Sequence, residues 1–254
     1  MAKIALITGA TAGIGEACAY LFARNGYDLI LTGRRQDRLD ALAQQLNNDF
    51  NVRIAVAAFD VRIKEQVIHH LESLPDDWKN VDVLINNAGL SQGLDPIQKG
   101  SYDDWDTMID TNIKGLLYVS KVVSNWMVNN GFGHIVNLGS IAGKDVYANG
   151  NVYCATKAAV DALSKGMRID LLQHGIKVTA IHPGAVETEF SEVRFKGDKD
   201  RAKKVYNGFT PLTAVDVAET IWFVVTRPAH VNINDLLLMP TAQATATLID
   251  RKNN

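Results

Sequence analysis

Ser140, Tyr153 and Lys157 could set a hydroxyl, a phenol and an ammonium around one carbonyl oxygen, and carbonyl reduction is the chemistry that needs such a trio. Tyr153 and Lys157 stand four residues apart in the stretch from Val152 to Leu172, whose apolar residues recur at spacings of three and four. That period predicts a helix with both side chains on one face, one turn apart. A free phenol has a pKa of about 10 and is a poor base at neutral pH. A neighbouring cation favours its ionised form, and Lys157 is expected to be that cation. Ser140 ends the hydrophobic run GHIVNLGS. A hydroxyl at the end of a parallel strand faces the crevice where α/β proteins bind ligands, so Ser140 is expected to hydrogen-bond the substrate oxygen.

A tyrosine four residues before a lysine carries little weight alone; the start of the chain supplies the context. KIALITGATAGIG is an apolar strand followed by glycines at positions 9, 13 and 15, and a helical run then continues to Asn25. Strand, glycine turn and helix make a nucleotide-binding start, because backbone must approach a pyrophosphate at a helix N-terminus. Gly9, Gly13 and Gly15 are the expected contacts. The second strand closes on Thr32, Gly33, Arg34 and Arg35, where NAD enzymes place an acid on the ribose 2′-hydroxyl. Arg34 and Arg35 can instead pair with a 2′-phosphate. Cations at a helix N-terminus oppose the macrodipole and so need a reason of this kind. NADP(H) is the expected cofactor.

The elements that must position these groups alternate along the chain. Strand candidates run from Lys3 to Thr8, Asp28 to Thr32, Arg53 to Phe59, Val81 to Asn86, His134 to Leu138, Lys177 to Ile181 and Asn234 to Met239, with helical patterns between nearly all of them. Strands so separated need right-handed crossovers, which build a parallel sheet covered by helices on both faces. The expected fold class is α/β: a doubly wound, Rossmann-type sheet in one domain over residues 1–254. The longest helix candidates are Asp104 to Asn129 and Val152 to Leu172. The second presents Ala155, Ala158, Ala159 and Ala162, a small face that allows close helix packing within the chain or between subunits.

Composition excludes several classes. A length of 254 residues with 47% hydrophobic content and six prolines fits one large α/β domain, with no repeat or low-complexity linker. The formal charge is −2 and the basic residues are dispersed apart from Lys196 to Lys204, which reads as a solvated helix, so no nucleic-acid footprint is expected. No apolar run is long enough to span a bilayer, and the first residues lead straight into the glycine turn rather than into a signal-peptide core. A cytoplasmic location is expected. Cys18 and Cys154 each fall in a predicted helix and read as packing residues in a reducing compartment. The six histidines, including His69 and His70, show no metal-ligand spacing, so no metal site is expected.

With these residues assembled, the chain resembles the short-chain dehydrogenase/reductase family along essentially its whole length. Asn86-Asn87-Ala88-Gly89 is similar to the family's signature after the fourth strand, and Asp60-Val61 to its adenine contact. Asn112, in DTNIKG, matches a fourth catalytic residue that holds a water against the active-site lysine. Pro183-Gly184 and Thr188, in HPGAVET, match the segment that contacts the nicotinamide carboxamide. The resemblance also implies cofactor contacts from Thr8, Ile14, Val186, Tyr153 and Lys157, a homotetramer built on the two longest helices, and a substrate lid at about 187–212. The segments TGATAGIGE, TGRRQDRL, DTNIKG, GNVYCATKAAV, ETEFSEVRFKGD and PAHVNIN resemble the NADP-dependent 3-hydroxy acid dehydrogenases within the family. Small molecules such as serine, L-allo-threonine and 3-hydroxypropionate are the substrates so implied. Arg194, six residues beyond Thr188, is the candidate partner for their carboxylate, with Lys196 in reserve and Tyr147 lining the same pocket. Two alternatives remain open: a reductase of 3-oxoacyl thioesters, sugars or steroids on the same core, and a protein that senses NADP(H) without turnover.

Overall fold

The computed structural model describes residues 2–252. Seven strands, Ile4–Thr8 (β1), Asp28–Gly33 (β2), Ile54–Ala58 (β3), Val81–Asn86 (β4), His134–Leu138 (β5), Lys177–Pro183 (β6) and Asp235–Leu238 (β7), pair in parallel in the order β3-β2-β1-β4-β5-β6-β7. The chain builds outward from β1 to β3, then returns to lay β4 against the other side of β1. The connections on either side of that reversal lead away from each other, and a crevice opens at the carboxyl ends of β1 and β4.

Alternation along the strands fills two cores. Ala5, Ile7, Leu29, Leu31, Val83 and Ile85 face one side, where they meet Phe22, Leu39, Leu46 and Ile221 of Gly13–Arg24 (α1), Gln36–Phe50 (α2) and a helix at Ala214–Val225. Ile4, Leu6, Ile30, Leu84 and Ile135 face the other, against Val67, Leu71, Val119, Val123 and Met127 of Lys64–Glu72 (α3) and a helix at Leu116–Asn130. A sheet buried on both faces explains why its strands read as continuous apolar runs. Burying residues of this size contributes on the order of 2 kcal/mol each before chain entropy is charged against it.

The helix expected over Asp104 to Asn129 is three pieces: Tyr102–Ile109 (α4), a π-helical turn over Asp110–Gly115, and Leu116–Asn130 (α5). The wide turn turns Asn112 inward, where its side chain bonds both backbone groups of Leu90; such turns recur at functional sites. The helix expected from Val152 is Asn151–Asp170 (α6), followed by a short 3₁₀ turn at Leu172–His174. Residues 187–212 leave and return through a neck, with Val186 bridged to Leu212 and Glu187 N–H donating to the Leu212 carbonyl at 2.8 Å. This excursion carries Phe190–Arg194 (α7) and Lys199–Lys204 (α8); Ala214–Val225 (α9) follows it. Cys18 and Cys154 are both free and buried, as expected. No helix among the described residues is long and apolar enough to cross a membrane.

Candidate active site

A cleft of about 330 Å³ opens at the carboxyl ends of the central strands. Its near wall is the turn from β1 into α1. Gly9 and Gly13 adopt left-handed φ values of +66° and +57°, and a Cβ on Gly15 would stand 2.3 Å from the Gly9 carbonyl oxygen. α1 starts with Ala12 as N-cap and no side-chain cap, so its first amides are left for a ligand at the cleft. Gly9, Gly13, Ile14, Asp60, Val61, Asn87, Ala88, Gly89, Pro183, Gly184, Val186 and Thr188 all line the cleft.

Thr8 and Gly15 do not. Thr8 is buried, and its Oγ1 accepts from Asn87 N–H at 3.0 Å and Ala88 N–H at 2.9 Å. Its hydroxyl is spent tying the end of β1 to the loop after β4. Asn87 closes the same joint by donating to the carbonyls of Thr8 and Gly9 at 2.9 and 3.1 Å.

Arg34 and Arg35 line the mouth of the cleft beyond β2. Arg35 is held by Thr11, whose Oγ1 lies 2.7 Å from its Nη2, and by Glu189 at 3.3 Å. Arg38, which the spacing argument overlooked, pairs with the same Glu189 at 3.0 Å. It lies three residues beyond Arg35, on one helix face, so the i,i+3 rule was the available signal. Burial pushes the Asp60 carboxyl up, but its bonds to Arg62 leave it below the ordinary range. These residues fit a dinucleotide with a 2′-phosphate: uncapped amides at the start of α1 for a pyrophosphate, arginines at the end of β2, and no acidic residue within the segment Gly33-Arg34-Arg35 itself.

Ser140, Tyr153 and Lys157 line the far end of the same cleft. Ser140 caps the one-turn segment Ile141–Gly143, its Oγ accepting from Ala142 N–H at 3.1 Å. Burial pushes the Tyr153 phenol up to about 12, while the Arg194 guanidinium and a hydrogen bond from Ser140 pull the other way. Burial also lowers Lys157 to about 8, and its Nζ donates to the Leu138 carbonyl at 2.8 Å. Lys157 is the cation expected to act on the phenol. Its ammonium is drawn to a strand-end carbonyl, and the charge facing Tyr153 is Arg194, whose guanidinium carbon lies 5.2 Å from the ring centroid.

Asn112 lies behind the cleft, with Thr111 on its wall. Its Nδ2 donates to the Leu90 carbonyl at 2.8 Å and Thr156 Oγ1 at 3.0 Å. It meets Lys157 across Gly89, where a Cβ would be 3.3 Å from Asn112 Oδ1 and 3.4 Å from Lys157 Nζ.

Arg194 also donates to Tyr147 Oη at 2.9 Å and Ser91 Oγ at 3.1 Å, and it stacks on Phe190 with 5.2 Å to the ring. Ser91 and Phe190 were not anticipated: Ser91 falls outside every matched segment, and Phe190, though within ETEFSEVRFKGD, was given no role. Lys196 is not brought in; its ammonium pairs with Asp104 at 2.9 Å. One histidine also departs from the reading by spacing. His182 meets Asp161 and Asp235 with ligand atoms within 4.8 Å of one another, a grouping that only the fold creates.

Residues 3–199 match the family described as short chain dehydrogenase. An NADP-dependent 3-hydroxy acid dehydrogenase of Salmonella typhi is 50% identical over 246 residues, 96% of this chain and 98% of that protein. Sulfoacetaldehyde reductase 2 of Chromohalobacter salexigens is 47% identical over 253 residues, 99% of this chain and all of the other. The solved closed form of serine dehydrogenase complexed with NADP+ superposes with a TM-score of 0.91 at 48% identity, covering 98% of this chain and 100% of that one.

Proposed function

The chain belongs to the short-chain dehydrogenase family, and from that premise we propose that it is an NADP-dependent oxidoreductase interconverting small 3-hydroxy acids and their 3-oxo acids or semialdehydes. The observation that carries the substrate class is Arg194, a cation held by Tyr147 and Ser91 beside the Tyr153 ring. A 3-hydroxy acid places its carboxylate two carbons from the reacting carbon, and a guanidinium beside the phenol suits that separation.

In this reading NADP(H), once bound, supplies or accepts the hydride. Tyr153 gives its proton to the substrate oxygen in reduction and takes it back in oxidation. Ser140 donates a hydrogen bond to the same oxygen and steadies charge developing there. Lys157 passes the proton on behind the phenol to a water that Asn112, meeting it across Gly89, holds in place. Arg194 and Tyr147 hold the carboxylate, and residues 187–212 serve as the lid that brings Arg194 over the substrate. Thioesters, sugars and steroids offer no small anion for this group.

A second reading changes only the anion. The N–H and O–H groups of Arg194, Tyr147 and Ser91 suit a sulfonate as well as a carboxylate, which puts sulfoacetaldehyde, named in the Chromohalobacter relative, among the substrates to test. We further place the protein in the cytoplasm, in keeping with its two unpaired buried thiols. We take it to be a homotetramer, in keeping with Tyr102, Ile109 and Leu117 exposed on α4 and α5.

The test is a comparison of kcat/KM for serine, L-allo-threonine, 3-hydroxypropionate, malonic semialdehyde and sulfoacetaldehyde, with NADP(H) against NAD(H). A small acid with NADP(H) is expected to lead. Equal turnover of an uncharged aldehyde would overturn the substrate class, and a preference for NAD(H) would overturn the cofactor assignment.

A further inference from the structure

We propose that His182 is the positioning residue for Ser140, holding its backbone carbonyl from behind the cleft as part of a charged clamp with Lys144, Asp161 and Asp235. The inference rests on the assignment of Ser140 to the substrate oxygen. The His182 side chain, on β6, is wholly buried. Its Nδ1 lies 3.3 Å from the Ser140 carbonyl oxygen, and its Nε2 lies 3.2 Å from Asp235 Oδ2 and 3.7 Å from Asp161 Oδ1. Both ring nitrogens thus face acceptors, but a neutral ring carries one N–H; with the Lys144 ammonium already on the Asp235 carboxylate, the clamp places that proton on Nδ1, toward the Ser140 carbonyl.

Lys144 completes the clamp, its Nζ 2.9 Å from Asp161 Oδ1 and 2.6 Å from Asp235 Oδ2. Ser140 begins the one-turn segment Ile141–Gly143 and Lys144 ends it. The two ends of the turn that carries the serine hydroxyl are therefore tied to α6, β6 and β7. Close packing removes the slack between them. A Cβ on Gly139 would stand 2.3 Å from His182 Nδ1, and one on Gly143 would stand 2.5 Å from the Lys157 carbonyl oxygen. The turn is wedged between the imidazole and the backbone of α6 at the residue that bears the active-site ammonium.

Lys165, 2.9 Å from Asp161 Oδ2, and Arg168 lie further along α6 and offset the two carboxylates. Burial and Lys144 hold His182 below its ordinary pKa, against the pull of Asp235, Asp161 and the Ser140 carbonyl. A histidine and two carboxylates in this arrangement have the makings of a metal site, but the Lys144 ammonium already stands on both carboxylates as the resident cation. The His182 hydrogen bond to the cleft wall is made at Ser140, beside Gly139, on which the ring packs. Because the peptide that His182 holds is the one that aims the Ser140 side chain, loosening it should slow chemistry while leaving the cofactor turn and Arg194 untouched.

The experiment is a double-mutant cycle in the full-length protein, with kcat, KM and NADPH affinity by fluorescence titration measured for His182→Ala, His182→Asn, Ser140→Ala and the His182→Ala, Ser140→Ala pair. His182→Ala is expected to lower kcat about tenfold, with KM and NADPH affinity within about threefold of the parent. His182→Asn, whose amide N–H replaces Nδ1–H, is expected to recover most of kcat. The double variant should be no slower than Ser140→Ala, since a hydroxyl that is absent cannot be misplaced. Parental kcat in His182→Ala, no recovery with Asn, or losses that multiply in the double variant would each overturn the inference. Parental turnover in Ser140→Ala would remove the assignment of Ser140 itself, a separable failure. If His182→Ala does not fold, Asp235→Asn at the outer end of the clamp tests the same cycle: a smaller kcat loss that vanishes in the Ser140→Ala background supports the inference, and an additive loss overturns it.

Discussion

At the cofactor end of the cleft the groups presented to a ligand are backbone amides and glycine edges, gathered by one turn between β1 and α1 and braced by Thr8 and Asn87 from below. At the substrate end they are side chains: Ser91 and Arg194, which hydrogen-bond each other, are 103 residues apart, and Tyr147 comes from a third segment. A site made of backbone has few ways to be built, so its spacing is diagnostic. A site made of converging side chains can be rebuilt by exchanging any one of them, which is how one catalytic core can serve many substrates. The two ends should therefore fail differently when single residues are changed.

The largest effect is expected where the two ends meet. Tyr153→Phe keeps the ring that packs against Phe190, at 5.7 Å between centroids, and removes only the hydroxyl. Turnover should fall by about 10²- to 10⁴-fold, while NADPH affinity by fluorescence titration stays near the parent value. A variant that keeps turnover within about tenfold would remove Tyr153 from proton transfer. One that loses NADPH in proportion would mean that the two ends cannot be perturbed separately.

Legibility follows the same division. The seven strands were readable because a sheet covered on both faces imposes apolar runs on each of them, and the glycine turn because left-handed φ at positions 9 and 13 restricts the residue type. Ser140, Tyr153 and Lys157 were readable as neighbours because a strand end and one helical turn place them. The π-helical turn around Asn112 was not readable. It depends on Asn112 reaching Leu90, a contact between segments whose pairing the chain acquires only on folding. Thr8 was assigned to the cofactor because it belongs to a motif that contacts it, whereas its hydroxyl serves the joint beneath. Arg194 was placed near the substrate by its distance along the chain from Thr188. That distance could not foresee that Arg194 lies over the Tyr153 ring, since the direction of a long side chain is set by Tyr147 and Ser91.

The next effect sharpens the contrast at the substrate end. Arg194→Ala removes a charge-assisted contact that contributes about 1.5 to 3 kcal/mol. KM for serine or 3-hydroxypropionate should therefore rise by about one to two factors of ten, with little change for a simple aldehyde. Equal losses on charged and uncharged substrates would mean that Arg194 serves lid folding. Its carbonyl already accepts from Gly93 N–H at 3.1 Å, a bond the substitution keeps. Arg34→Ala is the matching change at the cofactor end. Arg34 lines the cleft beside Arg35, which Thr11 and Glu189 already engage, so NADPH should weaken by up to about tenfold while NADH is unchanged. Arg34 thus belongs to the exception at a backbone-built end, the cluster of charged side chains beyond β2 that sets the choice of ligand.

The smallest effect concerns the residue that joins the two ends. Glu189 lies on the lid side of the neck, yet its carboxylate sits on Arg35 at 3.3 Å and Arg38 at 3.0 Å, and Arg35 lines the cleft beside Arg34. Burial pushes the carboxyl up, but the two arginines hold it below the ordinary range, so it is a carboxylate at neutral pH. All three side chains are about half exposed, and pairs of this kind contribute about 0 to 1 kcal/mol. Glu189→Gln should therefore change thermal stability very little. It removes a negative charge that competes with a phosphate for both arginines, so NADPH affinity should improve by about two- to fivefold at low salt, with NADH unaffected. The gain should shrink as ionic strength rises, because exposed charges are screened. Equal weakening of both cofactors would mean that Glu189 anchors the lid to α2 and that the lid helps form the cofactor end. An improvement confined to NADPH would leave the cofactor end self-sufficient, with the lid only taxing its choice of phosphate.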